Sequence, residues 1–237
     1  FKYFYKSYIE HFYRQDFPNA VSYNRFVELI SRLFVPLNIL LHLLFGEETG
    51  IYFIDSTTIK ACHNKRRYRN KVFAGLAKAS KSSMGYFYGF KLHAIINHKG
   101  EFMALKMTKG NVDDRTPVPE LSKGLTGVMA ADKGYIKQNL FIELYEQGLK
   151  MIHGIKKNMK NKLMDLNEKI LLRKRSIVET VFDYLKNKMD IEHTRHRSAI
   201  NAFVHIVSTL VAYSLKKHKP SINFSYSGSA PISLIPN

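Results

Sequence analysis

Two acidic residues in this chain each follow a short run of strand-forming residues. Asp55 ends the run 51–55, and Asp132 directly follows the small apolar run 127–131. A carboxylate at the carboxyl end of a buried strand lies at the mouth of an α/β sheet, where such folds carry out their chemistry. Either aspartate alone could merely cap a turn, but two such strand ends in one basic chain favour a shared site.

The charge of the chain indicates the kind of ligand that such a site would bind. The 37 Lys and Arg residues outnumber the 19 Asp and Glu residues, which gives a net charge of +18. This excess favours a polyanionic partner, because each cation set on a phosphate releases a counterion; a basic protein without a specific ligand is the alternative. Carboxylates repel phosphates unless a cation lies between them, and Mg²⁺ binds carboxylates, water and substrate phosphates together. The residues therefore predict a magnesium site on a phosphate-binding surface.

A third carboxylate is expected from an amphipathic helix predicted over 176 to about 189. Arg175, Glu179 and Lys186 are spaced so that they share one face of this helix. An acid between two cations could form only a surface ion pair, which contributes little to stability. Asp183 lies one turn after Glu179 and is a competing ligand. Periodicity alone does not choose between the two acids.

The elements that must position these residues alternate between strands and helices. The first 45 residues have a helical spacing, with interleaved aromatic and basic residues that suit either a DNA-binding arm or a helix packed on a neighbouring domain. The remainder reads as a strand, two strands joined by a turn at Asn97-His98-Lys99-Gly100, then alternating helices and strands and a final helix. This order predicts an α/β fold with a mixed β-sheet flanked by helices. The predicted regions are a helical N-terminal region (1–49), a catalytic domain (50–217) with a short basic insertion near 156–175, and a loosely ordered tail (218–237).

Other patterns bear on a membrane partner, on disulfides and on the chain's start. The longest apolar run, 33–45, is 13 residues long and contains Pro36 and His42, whereas a membrane span needs roughly 20 apolar residues. We therefore expect a packed helix there and no membrane partner.

The single cysteine, Cys62, cannot form an internal disulfide, which fits a reducing cytoplasm and excludes a cysteine-based zinc site. Because the chain opens on Phe1 rather than Met, we expect an earlier segment to be missing.

Around the three acids the chain resembles the DDE transposases, which have an RNase H-like fold. Asp55, Asp132 and Glu179 match the three catalytic carboxylates of that family, at separations of 77 (132 − 55) and 47 (179 − 132) residues. Further similar segments are Asp55-Ser56-Thr57, the run 85–93, Gly110-Asn111-Val112-Asp113-Asp114 and Ala131-Asp132-Lys133-Gly134-Tyr135. The resemblance covers about residues 50–215 and looks closest to the insertion sequence family numbered 982.

The residues around the glutamate carry the sharper part of this resemblance. The bacterial insertion-sequence branch has a Tyr-x2-Arg-x3-Glu-x6-Lys signature, and Arg175, Glu179 and Lys186 keep its spacing. Leu172 stands where the signature has tyrosine, so the role of that tyrosine does not carry over to this chain.

The resemblance implies a phosphoryl transfer assisted by two Mg²⁺ or Mn²⁺ ions. It implies that Asp55 binds both ions, Asp132 one and Glu179 the other. Water would be the nucleophile for cleavage at the element ends, and a DNA 3′-hydroxyl for strand transfer. The implied partner is double-stranded DNA, as terminal repeats and target, bound by a homodimer in the nucleoid of a bacterial cytoplasm. The residues expected to contact DNA are Arg175, Lys186, Lys60, Lys65, Arg66, Arg67, Lys91 and His93.

Three other functions share some of these features. A metal-dependent nuclease of the same fold would use the same three carboxylates to cut DNA without joining it. A transposase relic would retain DNA binding and lack catalysis. A basic RNA-binding protein of ribosomal type would explain the charge, but it would not explain two strand-end acids followed by a helix with Arg, Glu and Lys at this spacing.

Overall fold

A computed structural model describes residues 2–82, 85–155, 164–192 and 196–223. The segment 156–163 of the expected insertion and residues 224–237 of the expected tail lie outside these ranges. The strands are β1 (Ile51–Cys62), β2 (Lys78–Ser82), β3 (Gly85–Asn97), β4 (Phe102–Lys109), β5 (Gly127–Ala131) and β6 (Leu149–His153). The α-helices are α1 (Lys2–Phe4), α2 (Tyr23–Leu29), α3 (Phe34–Leu43), α4 (Val118–Leu121), α5 (Gln138–Glu146), α6 (Leu166–Lys174), α7 (Ser176–Asp183) and α8 (Ala199–Ser214). Tighter 3₁₀ turns span Ile30–Leu33, Asn64–Arg69 and Lys133–Tyr135, and wider π turns span Tyr5–Phe12 and Tyr184–Lys188.

The strands form one mixed sheet with β1 near its centre. β3 pairs antiparallel with β1 on one side and with β2 and β4 on the other. β5 pairs parallel with β1, and β6 pairs parallel with β5. The antiparallel half is a set of hairpins, while the parallel half needs helical crossovers. This arrangement confirms the predicted fold class, an α/β fold with a mixed sheet flanked by helices.

Helices cover both faces of the sheet, so it has two cores. On one face, α6, α7 and α8 pack over Phe53, Leu92 and Ala130. On the other, α4 and α5 pack over Ile54 and Met129. Side chains alternate between faces along a strand. Asp55 therefore projects towards α7, because it shares the face of Phe53, and Ser56 projects towards the opposite face.

Two glycines allow the backbone at the sheet centre to approach closely. A Cβ atom on Gly89 of β3 would lie 2.1 Å from the carbonyl oxygen of Ile59 in β1. Gly127 at the start of β5 has φ +111°, and a Cβ atom there would lie 2.3 Å from the carbonyl oxygen of Gly50. Any larger residue would push β3 or β5 away from β1, which carries Asp55.

The N-terminal helices lead to the sheet through α3, which packs against α8. Within the described ranges, Tyr23–Leu43 is long and apolar enough to cross a membrane, judged by length and composition only. This stretch is longer than the apolar run 33–45, because the helical segment already begins at Tyr23. The core helix of a globular domain and an N-terminal signal sequence pass the same test. The stretch is therefore weak support for a membrane span.

Some elements differ from the sequence-based expectation. β1 does not end at Asp55 but continues to Cys62, since Thr57, Thr58 and Ile59 are β-branched and favour extended backbone. The predicted basic insertion contains α6, which is capped by Asp165 through a bond to the backbone N–H of Leu166. The predicted helix over 176 to about 189 is α7 followed by the π turn Tyr184–Lys188.

Candidate active site

Asp55 and Asp132 lie side by side because β1 and β5 are adjacent and parallel. The last residues in register are Phe53 and Ala130. Extending that register by two residues brings Asp55 level with Asp132 on the same face of the sheet. The two aspartates differ in environment, since Asp55 is largely buried within β1, whereas Asp132 is exposed directly after β5.

Arg175 links Glu179, the third carboxylate, to Asp55. It lies between α6 and α7, where its guanidinium donates to Asp55 Oδ2 at 3.0 Å and to Glu179 Oε1 at 2.7 Å. Its side chain is 20% exposed, so the ion pair with Asp55 is shielded from water, while Glu179 is 56% exposed. The helix spacing that put Arg175 and Glu179 on one face therefore directs both towards Asp55.

The carboxyl of Asp55 is held in an unfavourable environment for a negative charge. Burial raises its pKa from 3.8 to about 6, and the charges on Asp132 and Glu179 add to this rise. The backbone N–H of Ser56, bonded to Oδ1 at 2.8 Å, and the guanidinium of Arg175 lower the pKa and partly offset the rise. Because both other carboxylates act on the charge of Asp55, an added cation near Asp55 would stabilise that charge.

The donors suit a divalent ion in kind, because carboxylate oxygens are the ligands that hard cations such as Mg²⁺ prefer. Among the described residues, however, no three His, Cys, Asp or Glu side chains are grouped closely enough to hold a metal ion. Arg175 holds Asp55 and Glu179 to itself by its two hydrogen bonds. The site thus has the acids that a metal would need, in an open arrangement in which an arginine supplies the positive charge.

Asp183, the other candidate for the third carboxylate, has a different neighbour. Its side chain is exposed and accepts a hydrogen bond from Asn187 one turn later. It is not among the charges that act on Asp55, whereas Glu179 is. The geometry therefore favours Glu179 over Asp183 as the third carboxylate.

Lys186 lies in the π turn that follows α7. It is next to the part of β1 that extends beyond the residues paired with β5. Its ammonium donates to Thr58 Oγ1 at 3.4 Å and lies 3.9 Å from Glu192. Glu192 in turn accepts from the backbone N–H of Lys60 at 2.8 Å. A π turn is often found at functional sites, and here it sets a partly buried cation beside the strand that carries Asp55.

A second polar cluster supports Asp55 from the opposite face of the sheet. Ser56 donates its hydroxyl hydrogen to Asp114 Oδ1 at 2.8 Å, and the ammonium of Lys91 donates to the same oxygen at 2.9 Å. The phenol of Tyr135 is buried beside Ser56, and burial, with the nearby charges of Asp55 and Asp114, raises its pKa. This cluster fixes the backbone of Ser56, whose N–H binds Asp55.

Lys91 and His93 are largely enclosed by the protein. Lys91 is 16% exposed, and its ammonium is held by Asp114 and by the carbonyl of Val112 at 2.9 Å. His93 is 1% exposed, its Nε2 lies 2.8 Å from Thr108 Oγ1, and burial lowers its pKa to about 4, so the ring is neutral near pH 7. The prediction that these two side chains contact DNA stays a prediction; the structure gives each of them a partner within the protein instead. The alternation along β3 puts them on the α4–α5 face, which the sequence did not identify as covered.

The remaining predicted DNA contacts lie on and after the end of β1. Lys60, Lys65 and Arg66 are exposed, and Arg67 stacks its guanidinium over the ring of Tyr68 at 4.5 Å from the centroid. The structure brings none of these four into contact with the three acids. Their role in binding DNA stays a prediction.

Sequence reasoning did not assign roles to Asp114, Ser56 and Tyr135. Each lies in a segment that is similar to the family, but the similarity does not give the individual residue a role. Asp114 and Ser56 are 58 residues apart, so no local spacing shows that they meet. Leu172, at the position where the signature has tyrosine, packs against the core and has no polar group to add to the site.

Comparison with known proteins assigns this chain to a family. The family described as "Transposase DDE domain" matches residues 45–199, which is more than half of the 237-residue chain. No curated protein matches the chain. Among solved structures, a piggyBac transposase in a synaptic complex with hairpin DNA is similar, with 10% identity, a TM-score of 0.46 and coverage of 80% of this chain. The chain spans 54% of the length of that protein. The catalytic domain of Mos1 mariner transposase has 8% identity and a TM-score of 0.27 over 83% of this chain and 94% of its own.

Proposed function

Because this chain belongs to the transposase DDE domain family, we propose that it cleaves DNA at the ends of an insertion sequence and joins those ends to target DNA. We further propose that it belongs to the insertion sequence family numbered 982, acts on double-stranded DNA as a homodimer, and works at the nucleoid of a bacterial cytoplasm. The net charge of +18 supports a DNA substrate, since phosphates bind where Lys and Arg are in excess.

The observation that carries the proposal is that Asp55 lies beside Asp132 on paired parallel strands, while Arg175 bonds both Asp55 and Glu179. We propose Asp55, Asp132 and Glu179 as the residues that hold two divalent ions, Mg²⁺ or Mn²⁺. Such ions would activate an attacking oxygen and stabilise the leaving oxygen of a phosphodiester. The raised pKa of Asp55 supports this proposal, because Arg175 offsets only part of the cost of the buried negative charge and a bound cation would offset more of it.

The chain's own side chains would orient the DNA around this centre. When the carboxylates bind a cation, the guanidinium of Arg175 is freed to contact a phosphate through two parallel hydrogen bonds, which its planar shape favours. Lys186 would contact a second phosphate as a point charge from beside Thr58. Ser56 and Asp114 would keep the Asp55 backbone in place, so that its carboxylate needs no reorganisation when DNA arrives.

End joining separates this function from the two nearest alternatives. The purified chain would be incubated with Mg²⁺ or Mn²⁺, a target plasmid and terminal-repeat DNA that is already nicked to expose its 3′-hydroxyl. We expect covalent joining of the labelled end to the plasmid. Cleavage of intact ends without joining would instead indicate a nuclease, and binding without either reaction would indicate an inactive relic.

A further inference from the structure

The N-terminal helices carry most of the exposed apolar side chains of this protein. Among the described residues, twenty large hydrophobic side chains are exposed, and twelve of them lie before Leu44. They include an aromatic stripe of Phe4, Tyr8 and Phe12, in which the centres of neighbouring rings lie 5.3 and 5.8 Å apart. Single exposed apolar residues are normal, but a concentrated apolar surface marks an interaction site.

The helix α3 has the clearest geometry within this surface. It packs on α8, with Leu41 buried and Leu37 against the core. On its outer side, Val35, Ile39 and Leu43 recur every four residues and are 63%, 58% and 76% exposed. A helix that is apolar all round is normally buried on all sides. We therefore expect a partner to cover the outer side of α3.

The outer side of α3 has the shape of a helix–helix contact. Residues four apart along a helix form a ridge, and the commonest helix packing inserts such ridges into matching grooves of a second helix. A cavity of about 380 Å³ is lined by this ridge and by the neighbouring row of Phe34, Asn38 and His42. Because ridge and groove lie on one side of α3, a copy of the same side fits against it.

The charge of this region favours a second copy of the chain as the partner. The first 48 residues contain five of the 37 Lys and Arg residues and five of the 19 Asp and Glu residues. Their side chains have no net charge, so the +18 of the chain lies beyond them. Two copies repel each other through the rest of their surface. The N-terminal helices are where two copies meet without that repulsion.

The apolar area of the region is sufficient for a stable pair. Six aromatic side chains of the first 17 residues are between 41% and 75% exposed: Tyr3, Phe4, Tyr8, Phe12, Tyr13 and Phe17. Since a fully buried aromatic side chain covers 150–250 Å², these six present roughly 600 Å². A standard interface takes about 800 Å² from each partner. The aromatic side chains and the outer side of α3 together reach that area.

A membrane fits the same surface less well. To cross a bilayer, the stretch Tyr23–Leu43 would have to leave α8 and carry Arg25, Glu28 and Arg32 with it. Charged side chains within a membrane are costly and are rare in spanning segments. A second copy covers the apolar residues and leaves both α8 and these charges where they are.

We propose that the outer side of α3 pairs with α3 of a second copy of this chain, around a twofold axis near Ile39 and without DNA or metal. In a twofold pair both copies use the same patch, so the middle of the ridge meets itself. The proposal names a surface for the homodimer of the proposed function and rests on that function for the number of copies. The surface itself is inferred from the exposed residues of the N-terminal helices.

Sedimentation velocity of the whole chain in EDTA, without DNA, tests this proposal. At micromolar concentration the wild type should sediment as a dimer, with twice the 27.5 kDa mass of one chain. Ile39→Glu and Ile39→Lys each place like charges opposite each other at the axis. Each should raise the dissociation constant of the dimer by at least about thirtyfold, the effect of a central interface residue.

Mixing the two variants separates pairing from misfolding. An equimolar mixture near 0.15 M KCl should regain the dimer, because the introduced carboxylate of one copy then faces the introduced ammonium of the other and a partly buried pair is little screened. The control Ile142→Glu changes an equally exposed isoleucine on α5. It should stay within about twofold of wild type, as surface substitutions outside an interface do.

Three results would overturn the proposal. They are a monomeric wild type, a mixture that stays monomeric although both variants are folded by circular dichroism, and equal loss of the dimer in Ile142→Glu. Flotation with neutral phosphatidylcholine vesicles identifies the alternative, since a monomer that floats with them has a membrane as its partner. Because DNA and metal are absent, a failure to cleave or join DNA would count against the proposed function and leave the dimer result standing.

Discussion

Replacing Asp55 or Asp132 by Asn should lower single-turnover cleavage of terminal-repeat DNA by at least about a thousandfold. Charge stabilisation by a metal ion in a phosphoryl transfer is worth several kcal/mol, and about 4 kcal/mol corresponds to a thousandfold in rate. The substitution keeps the size and one oxygen of each side chain but removes the negative charge. It should therefore abolish cleavage while leaving DNA binding in EDTA within a few fold of the wild-type value.

The same assay distinguishes the two acids of α7. Glu179→Gln should lose activity like the aspartate variants, because its carboxylate shares Arg175 with Asp55. Asp183→Asn should stay within about twofold of wild type, since Asp183 is exposed and bonded to Asn187. Activity retained by Glu179→Gln and lost by Asp183→Asn would reverse the assignment of the third carboxylate.

Asp55→Asn should also make the metal-free protein more stable than wild type at pH 7.5. The pKa of Asp55 is about 6 in the folded chain against 3.8 for the free group, so the folded state binds more protons between these values. Stability contributed by this group is therefore present below about pH 4 and is lost as pH rises to about 6. Since one pKa unit corresponds to about 1.4 kcal/mol, the ionised carboxylate costs at most about 3 kcal/mol above pH 6.

Urea unfolding in EDTA between about pH 4.5 and pH 8 checks this expectation. The difference in unfolding free energy between Asp55→Asn and wild type should grow as pH rises and level off above pH 6. Asp183→Asn, a charge-matched control on the exposed side of α7, should show no such trend. Millimolar Mg²⁺ should stabilise wild type and not Asp55→Asn, because an ion that binds only the folded state adds to its stability. A metal-free Asp55→Asn that is less stable at pH 7.5 would show that the ion pair with Arg175 outweighs the cost of burial.

The parts of the fold that the sequence predicted well are those with strong local signals. The observed bounds of β5 equal the predicted run, because the five apolar residues Gly127–Ala131 directly precede Asp132. The hairpin of β3 and β4 was equally clear from the turn at Asn97-His98-Lys99-Gly100. The sequence predicted that Asp55 and Asp132 each follow a strand. It did not predict that they are adjacent, because this depends on the parallel register of β1 and β5.

The parts that the sequence did not predict depend on contacts between distant segments. The continuation of β1 past Asp55 is stabilised by its pairing with β3, and the polar run there did not indicate a central strand. The burial of His93 follows from which face of β3 is covered by α4 and α5, and the alternation of residues does not say which face that is. Likewise, a cavity lined by Arg69 and Arg197 joins segments that are far apart in the chain.

Binding of Mn²⁺ to the chain in complex with terminal-repeat DNA tests the central claim most directly. Electron paramagnetic resonance would count the ions bound to wild type, to Asp55→Asn and to Asp183→Asn at the same DNA concentration. We predict about two bound ions per active site for wild type and for Asp183→Asn. For Asp55→Asn we predict a loss of at least one ion, because Asp55 is proposed to bind both. Unchanged binding of Mn²⁺ by Asp55→Asn would contradict the account, since Asp55, Asp132 and Glu179 would then not be the metal centre.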